Sequence, residues 1–202
     1  MLTLIKAYNK KGLFWPHLER NEVQNHRVSQ YHATPPRQKV QYRHVMSLIQ
    51  KNLPKDASIL EVGCGTGLFG TYLKNVGYSN YIGVDINPVL IEIAKQYAPE
   101  IDFRVMDGAN TEFEDKSFDF VGYINSFFCG KPHRWYKCQE FLDEGLRLAK
   151  TWLEFDTAHS RSDWGAPSTR QVRRWLRERD MEDKLITERE LSGQRRLWVV
   201  KL

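Results

Sequence analysis

Cysteine is scarce. Cys64, Cys129 and Cys138 are the three in 202 residues, an odd number with no C-x-x-C pair, so neither a disulfide framework nor a zinc site is suggested. Cys64 is expected to fill a small buried position, and no metal is expected. Long apolar runs are missing too: none approaches the ~18 residues of a membrane span. The start, Met1-Leu2-Thr3-Leu4-Ile5-Lys6, lacks the apolar length of a secretion signal. These absences lead to the expectation of a cytoplasmic protein with no membrane contact. The chain has no internal repeat, and no lysine- or arginine-rich run dense enough to mark a nucleic-acid-binding tail.

What is present is enough for a packed domain. At 41% hydrophobic and 12% aromatic residues, the length suits one α/β domain and is short for two. The net charge of +5 is unevenly spread. Residues 1–57 hold ten Lys/Arg against three Asp/Glu, residues 58–160 nine against fifteen, and residues 161–202 eleven against seven. An acidic centre thus lies between basic ends, an arrangement open to a cationic ligand in the middle and to anionic partners outside.

The acidic centre contains the most informative stretch, Ile59-Leu60-Glu61-Val62-Gly63-Cys64-Gly65-Thr66-Gly67. Ser58 to Val62 reads as a buried strand, and Leu68, Phe69, Tyr72, Leu73 and Val76 follow at helical spacing. Glycines between a strand and a helix let the backbone approach a ligand, and the helix start supplies unpaired N–H groups. Gly65-Thr66-Gly67-Leu68-Phe69-Gly70 also fits the dinucleotide pattern G-x-G-x-x-G, with Asp85 18 residues beyond Gly67. That register would place Gly63 inside the strand, whereas the apolar run stops at Val62. Placing the turn at Gly63 leaves Glu61 near the strand end.

In that register the stretch resembles the first motif of the class I S-adenosylmethionine-dependent methyltransferases. Tyr81-Ile82-Gly83-Val84-Asp85-Ile86-Asn87-Pro88 and Ile101-Asp102-Phe103-Arg104-Val105-Met106-Asp107-Gly108-Ala109 follow, each about 20 residues on, like the next two motifs. The resemblance implies a Rossmann-like three-layer α/β sandwich with a seven-stranded, mostly parallel sheet ending in an antiparallel hairpin. It covers residues 36–202, with residues 1–35 as an N-terminal extension that closes over the acceptor site. It implies S-adenosylmethionine as cofactor, with Glu61, Gly63, Cys64, Gly65 and Gly67 around its methionine part. Asp85 with Ile86 would lie at the ribose, Asp107 with Gly108 at the adenine, and Asn125 beside the reacting centre.

The rest of the chain fits such a sheet. Pro36 opens a helix through Val40, Val45, Leu48 and Ile49 to Asn52, and Pro88 opens another that ends near Pro99. Strands are expected at Ile101–Met106, Phe118–Ile124 and Thr151–Asp156, helices from Trp135 to Lys150 and from an N-cap at Ser168. A hairpin of Lys184–Leu191 and Gln194–Leu202 turns at Ser192-Gly193. The segment after the fourth strand, Asn125 to Trp135, lacks the Asn/Asp-Pro-Pro-aromatic signature of enzymes that methylate adenine, cytosine or glutamine nitrogens.

Methyl transfer from a sulfonium mainly needs alignment and exclusion of water. A small-molecule acceptor is expected, methylated on O or N and contacted by Tyr31, Phe127 and Trp135. His133 is the candidate general base, ahead of His159 and Asp156, because imidazole titrates near neutrality. Two alternatives stay open: an RNA methyltransferase using the basic ends, and a methyltransferase-fold enzyme that uses the cofactor without methylating. Sequence leaves the oligomeric state undetermined. If residues 1–34 close over the site, limited proteolysis cuts them first and cofactor slows the cut; equal rates with and without ligand would count against closure.

Overall fold

The computed structural model describes residues 35–124, 126, 135–158, 167–191 and 195–202. Helix α1 (Pro35–Asn52) leads into β1 (Ile59–Val62), α2 (Leu68–Asn75), β2 (Tyr81–Asp85), α3 (Pro88–Tyr97) and β3 (Asp102–Val105). Strand β4 (Phe118–Tyr123), helix α4 (Trp135–Leu148), β5 (Ala149–Ala158), α5 (Thr169–Arg177), β6 (Leu185–Leu191) and β7 (Arg195–Lys201) complete the chain. One seven-stranded sheet has the order β3-β2-β1-β4-β5-β7-β6. Strands β1 to β5 run parallel, while β7 is antiparallel to both β5 and β6. The expected Rossmann-like sandwich is therefore the observed fold.

Apolar residues on both faces of the central strands are what a sheet covered on both sides requires. Ile59, Tyr81, Phe103, Phe120 and Trp152 face Tyr42, Val45 and Ile49 of α1, Phe69 and Leu73 of α2, and Ile91 and Ala94 of α3. Leu60, Val62, Val84, Val121, Leu153 and Phe155 point the other way, onto Cys138 and Leu142 of α4 and Val172, Trp175 and Leu176 of α5. Strand order reverses between β1 and β4, so the carboxyl ends of these two strands flank the crevice where open α/β sheets bind ligands. Tyr42 of α1 lies 5.2 Å, ring to ring, from Phe69 in the first turn of α2. Since α2 starts at that carboxyl rim, the amino end of α1 is brought to the same rim.

Several boundaries move. α1 starts at Pro35, β3 excludes Ile101 and Met106, and β4 ends before Ile124. α4 stops at Leu148, and β5 begins at Ala149 and continues to Ala158 because β7 pairs with it from Trp152↔Lys201 to Ala158↔Arg195. Asp156, expected at the strand's end, is consequently inside it. Where the sequence suggested no disulfide framework, Cys138 is disulfide-bonded, to a partner outside the described residues. Spacing along a chain does not reveal which Cα atoms come within bridging distance. No helix among the described residues is long and apolar enough to cross a membrane.

The expected N-cap at Ser168 is a reciprocal capping box. Ser168 Oγ accepts from Gln171 N at 3.3 Å, and Gln171 Oε1 accepts from Ser168 N at 2.9 Å. The cap starts the short helix that carries Trp175, whose indole N–H donates to Asp143 Oδ1 at 3.0 Å. Ser168→Ala is expected to cost about 1 kcal/mol in urea unfolding without changing the slope.

Candidate functional site at the carboxyl ends of β1, β2 and β4

β1 passes into its loop under tight constraint. Gly63 N and Cys64 N both donate to Val84 O, at 2.7 and 3.0 Å, so the loop hangs from the end of β2. Gly63 has φ +76°, and a Cβ on it would lie 2.2 Å from Cβ of Ser126, just past β4. Gly67, at φ +75°, caps α2, and a Cβ there would lie 2.3 Å from Cζ of Phe103. These two positions need glycine for both backbone angle and space. Cys64 is buried, and burial first, then the Glu61 and Asp85 charges, push its thiol well up, so it is an inert filler as expected.

Asp85 ties the second motif to the first. Its Oδ2 accepts from Gly65 N at 3.0 Å and its Oδ1 from Asn87 N at 2.9 Å. Burial raises its pKa, while the Asn87 and Gly65 amides pull it back. Each carboxylate oxygen keeps a further lone pair for a ligand hydroxyl. Beside it Ile86 is 68% exposed, an apolar side chain left uncovered at the rim. Val105, in register with Asp85, is also exposed, and Met106 N donates to Asp85 O, which brings the third motif alongside. Asp107 closes its own turn by accepting from Ala109 N at 3.0 Å and remains exposed. Gly108 is packed instead: a Cβ there would lie 2.2 Å from Cγ1 of Val62, which accounts for glycine without a ligand.

Glu61 is inside the sheet rather than at the rim. It is 2% exposed, and Tyr81 Oη donates to its Oε2 at 2.5 Å. Burial pushes its pKa up to about 8, with the Asp85 charge adding and the Tyr81 hydrogen bond opposing. Two further buried acids share its face of the sheet, Glu154 and Asp156 of β5. Sequence reasoning gave no role to Glu154 or Ser126; acids inside an otherwise apolar strand were the available signal. Tyr31, His32, Asn125, Phe127, Phe128, His133 and His159 lie outside the described residues, and Trp135 opens α4 with its side chain outside them. No group of three potential ligands that could hold a metal occurs among the described residues.

A glycine turn at the switch point, an aspartate fixed against it and an exposed apolar side chain beside that aspartate thus meet where open α/β sheets bind ligands. Comparison with known proteins narrows the class. Residues 59–151 match the family described as a methyltransferase domain. The chain is 30% identical over 118 residues to a putative methyltransferase, 235L, of Invertebrate iridescent virus 6, covering 55% of this chain and 43% of that protein. It is 36% identical over 95 residues to a probable phthiotriol/phenolphthiotriol dimycocerosates methyltransferase of Mycobacterium ulcerans, covering 46% of this chain and 35% of that one. The chain thus spans less than half the length of these relatives. The crystal structure of magnesium protoporphyrin IX methyltransferase from Synechocystis with bound S-adenosylmethionine superposes with a TM-score of 0.67 at 18% identity, covering 98% of this chain and 95% of that one. Together these likenesses support a class I S-adenosylmethionine-dependent methyltransferase.

Glu61 has a pH signature. Folded, it holds its proton to about pH 8; unfolded, it releases it near the ordinary glutamate value of 4.5. Between these values the folded state binds more protons, so this group's contribution to stability is full below about 4.5 and is lost as pH rises toward 8. Unfolding midpoints measured from pH 5 to 8 should fall in the wild type and fall less steeply in Glu61→Gln. Parallel profiles would show that Glu61 is ionised throughout.

Proposed function

We propose that this protein transfers the methyl group of S-adenosylmethionine to O or N of a small molecule. The observation that carries the reading is the glycine turn at the switch point with Asp85 locked to Gly65. The site fits the cofactor. Gly63 and Gly67 give a turn that no side chain can fill, Ser126 Oγ beside Gly63 is buried without a partner, and Ile86 offers a flat apolar contact at the rim. Asp85 would hold the ribose hydroxyls, Asp107 the adenine amino group, and Gly63 to Gly67 the methionine part. Glu61, Cys64 and Gly108 shape the floor through packing, and Asn125 borders the sulfur.

When bound, the cofactor supplies an electrophilic methyl group whose bonding electrons leave with sulfur. The chain's work is to align the acceptor in line with that bond and to keep water out. The acceptor would sit between the 125–135 segment, the segment after β5 and the N-terminal extension of residues 1–35, with Tyr31, Phe127 and Trp135 against it. His133 would take the acceptor's proton, in which case His133→Ala slows turnover by ~10²–10⁴ without weakening cofactor.

A small acceptor is favoured over RNA by the state of the arginines on and after α5. Arg173 and Arg177 meet Glu182, Arg174 meets Glu178, and Arg179 meets Asp143. Paired in this way, they offer phosphates less than their number suggests. The named acceptors of the mycobacterial relative and of the Synechocystis enzyme, a phthiotriol compound and a porphyrin, are likewise small molecules.

The test combines binding and turnover. Calorimetry with S-adenosylmethionine should give binding that Asp85→Ala weakens tenfold or more, since charge-assisted hydrogen bonds are worth ~1.5–3 kcal/mol each. Demethylated cofactor should then form with a small-metabolite fraction. Formation with RNA alone would move the reading to nucleic acid; formation with no acceptor would mean a different use of the cofactor.

A further inference from the structure

Glu154 on β5 is a buried acid that the site as described leaves without work. It is in register with Gly122 of β4, and Gly122 is in register with Glu61 of β1. Residues in register on parallel strands project from the same face, so two glutamates flank a position with no side chain. The Glu154 side chain leans into that gap: its Oε2 stands 3.3 Å from where a Cβ on Gly122 would lie. Asp156, two residues on, projects from the same face closer to the carboxyl rim and is 2% exposed.

Glu154 is 0% exposed, and neither of its carboxyl oxygens has a hydrogen-bond partner. Burial, followed by the charges of Asp156 and Glu61, pushes its pKa well above the usual carboxylate range. The Tyr123 backbone pulls it back in part. Lys201, in register with Trp152 on this face of β5, is engaged over the ring of Trp152 at 5.4 Å. Packing alone would put an apolar residue here, because a buried carboxyl without a partner destabilises a core. Glu61 and Gly122 are each the last residue but one of their strands, so Glu154 lies one step inside the rim where an acceptor approaches the crevice.

We propose that Glu154, with Asp156 beside it, is the seat of a protonated amine on the acceptor, so that the molecule methylated is a small ammonium-bearing compound. The proposal rests on the methyl-transfer reading and names the substrate class of that site. An ammonium group has three donors and no acceptor, and two carboxylates supply acceptors only, so the match satisfies Glu154 without a metal. The flanking rings of Phe120 and Trp152, on the same face, add apolar walls that favour an organic cation over a hydrated inorganic one.

The experiment uses the full chain saturated with the demethylated cofactor, S-adenosylhomocysteine. Its affinity is measured first; failure to bind would overturn the methyl-transfer reading itself. Calorimetric titrations then compare matched probes: benzylamine with benzyl alcohol, phenethylamine with phenethyl alcohol, and putrescine with butane-1,4-diol. At least one amine is expected to bind tenfold or more tightly than its alcohol. Glu154→Gln should remove at least tenfold of that affinity while S-adenosylhomocysteine binds within twofold of wild type. A second variant guards against misfolding: Glu154→Leu should melt at or above the wild-type temperature and bind no amine. No preference for any amine, unchanged amine affinity in Glu154→Gln, or a lowered melting temperature in Glu154→Leu would each overturn the proposal.

Discussion

The carbonyl of Val84 is the point on which the site depends. It takes two amide donors, Gly63 and Cys64, at the moment the chain leaves β1. That pair of hydrogen bonds fixes where the glycine turn begins, and the next side chain along β2, Asp85, then accepts from Gly65 N. Two loops that would each be mobile alone become one unit. The carboxylate of Asp85 is thereby oriented before any ligand arrives, which lowers the entropy that binding must overcome. Gly63 and Gly67 follow from the same constraint, since the turn so fixed runs within van der Waals contact of Ser126 and Phe103.

This arrangement explains why two overlapping glycine patterns in the sequence resolve in favour of one. In the dinucleotide register the turn would be centred on Gly65 to Gly70, with Gly63 in a strand. Gly63 instead has positive φ, and β1 ends at Val62. Gly70 is already inside α2, packed where a Cβ would lie 2.3 Å from the ring of Tyr81. Its place in the motif is a helix-to-sheet contact.

Much of the fold was legible because its signals are local. Buried runs such as Val121 on β4 and Leu153 on β5, glycines at loop starts and the Ser168 cap each act within a few residues, and each element appeared where expected within about two positions. Strand ends were less legible because a neighbour sets them: β5 extends to Ala158 only because β7 pairs that far. The candidate site divides the same way. Asp85, Ile86 and Asp107 follow from strand ends. Ser126 against Gly63, and Glu154 across Gly122 from Glu61, depend on registers between strands some thirty to sixty residues apart in the chain, which no local pattern encodes. Gly108 packs against Val62 and Cys64 is buried, so both positions also have a packing role that adjacency in the chain does not show.

Charge counted along the chain also misstates the field within it. The stretch from 58 to 160 has an excess of six acidic residues, which on paper makes a negative centre for a cationic cofactor. Yet burial pushes the Glu61 pKa up to about 8 and shifts Glu154 in the same direction, so part of that excess is muted. It is latent. A cation brought within a few ångströms would favour ionisation of both groups, and the field would strengthen as the ligand that needs it arrives. Until such a cation arrives, the two acids are spared part of their mutual repulsion.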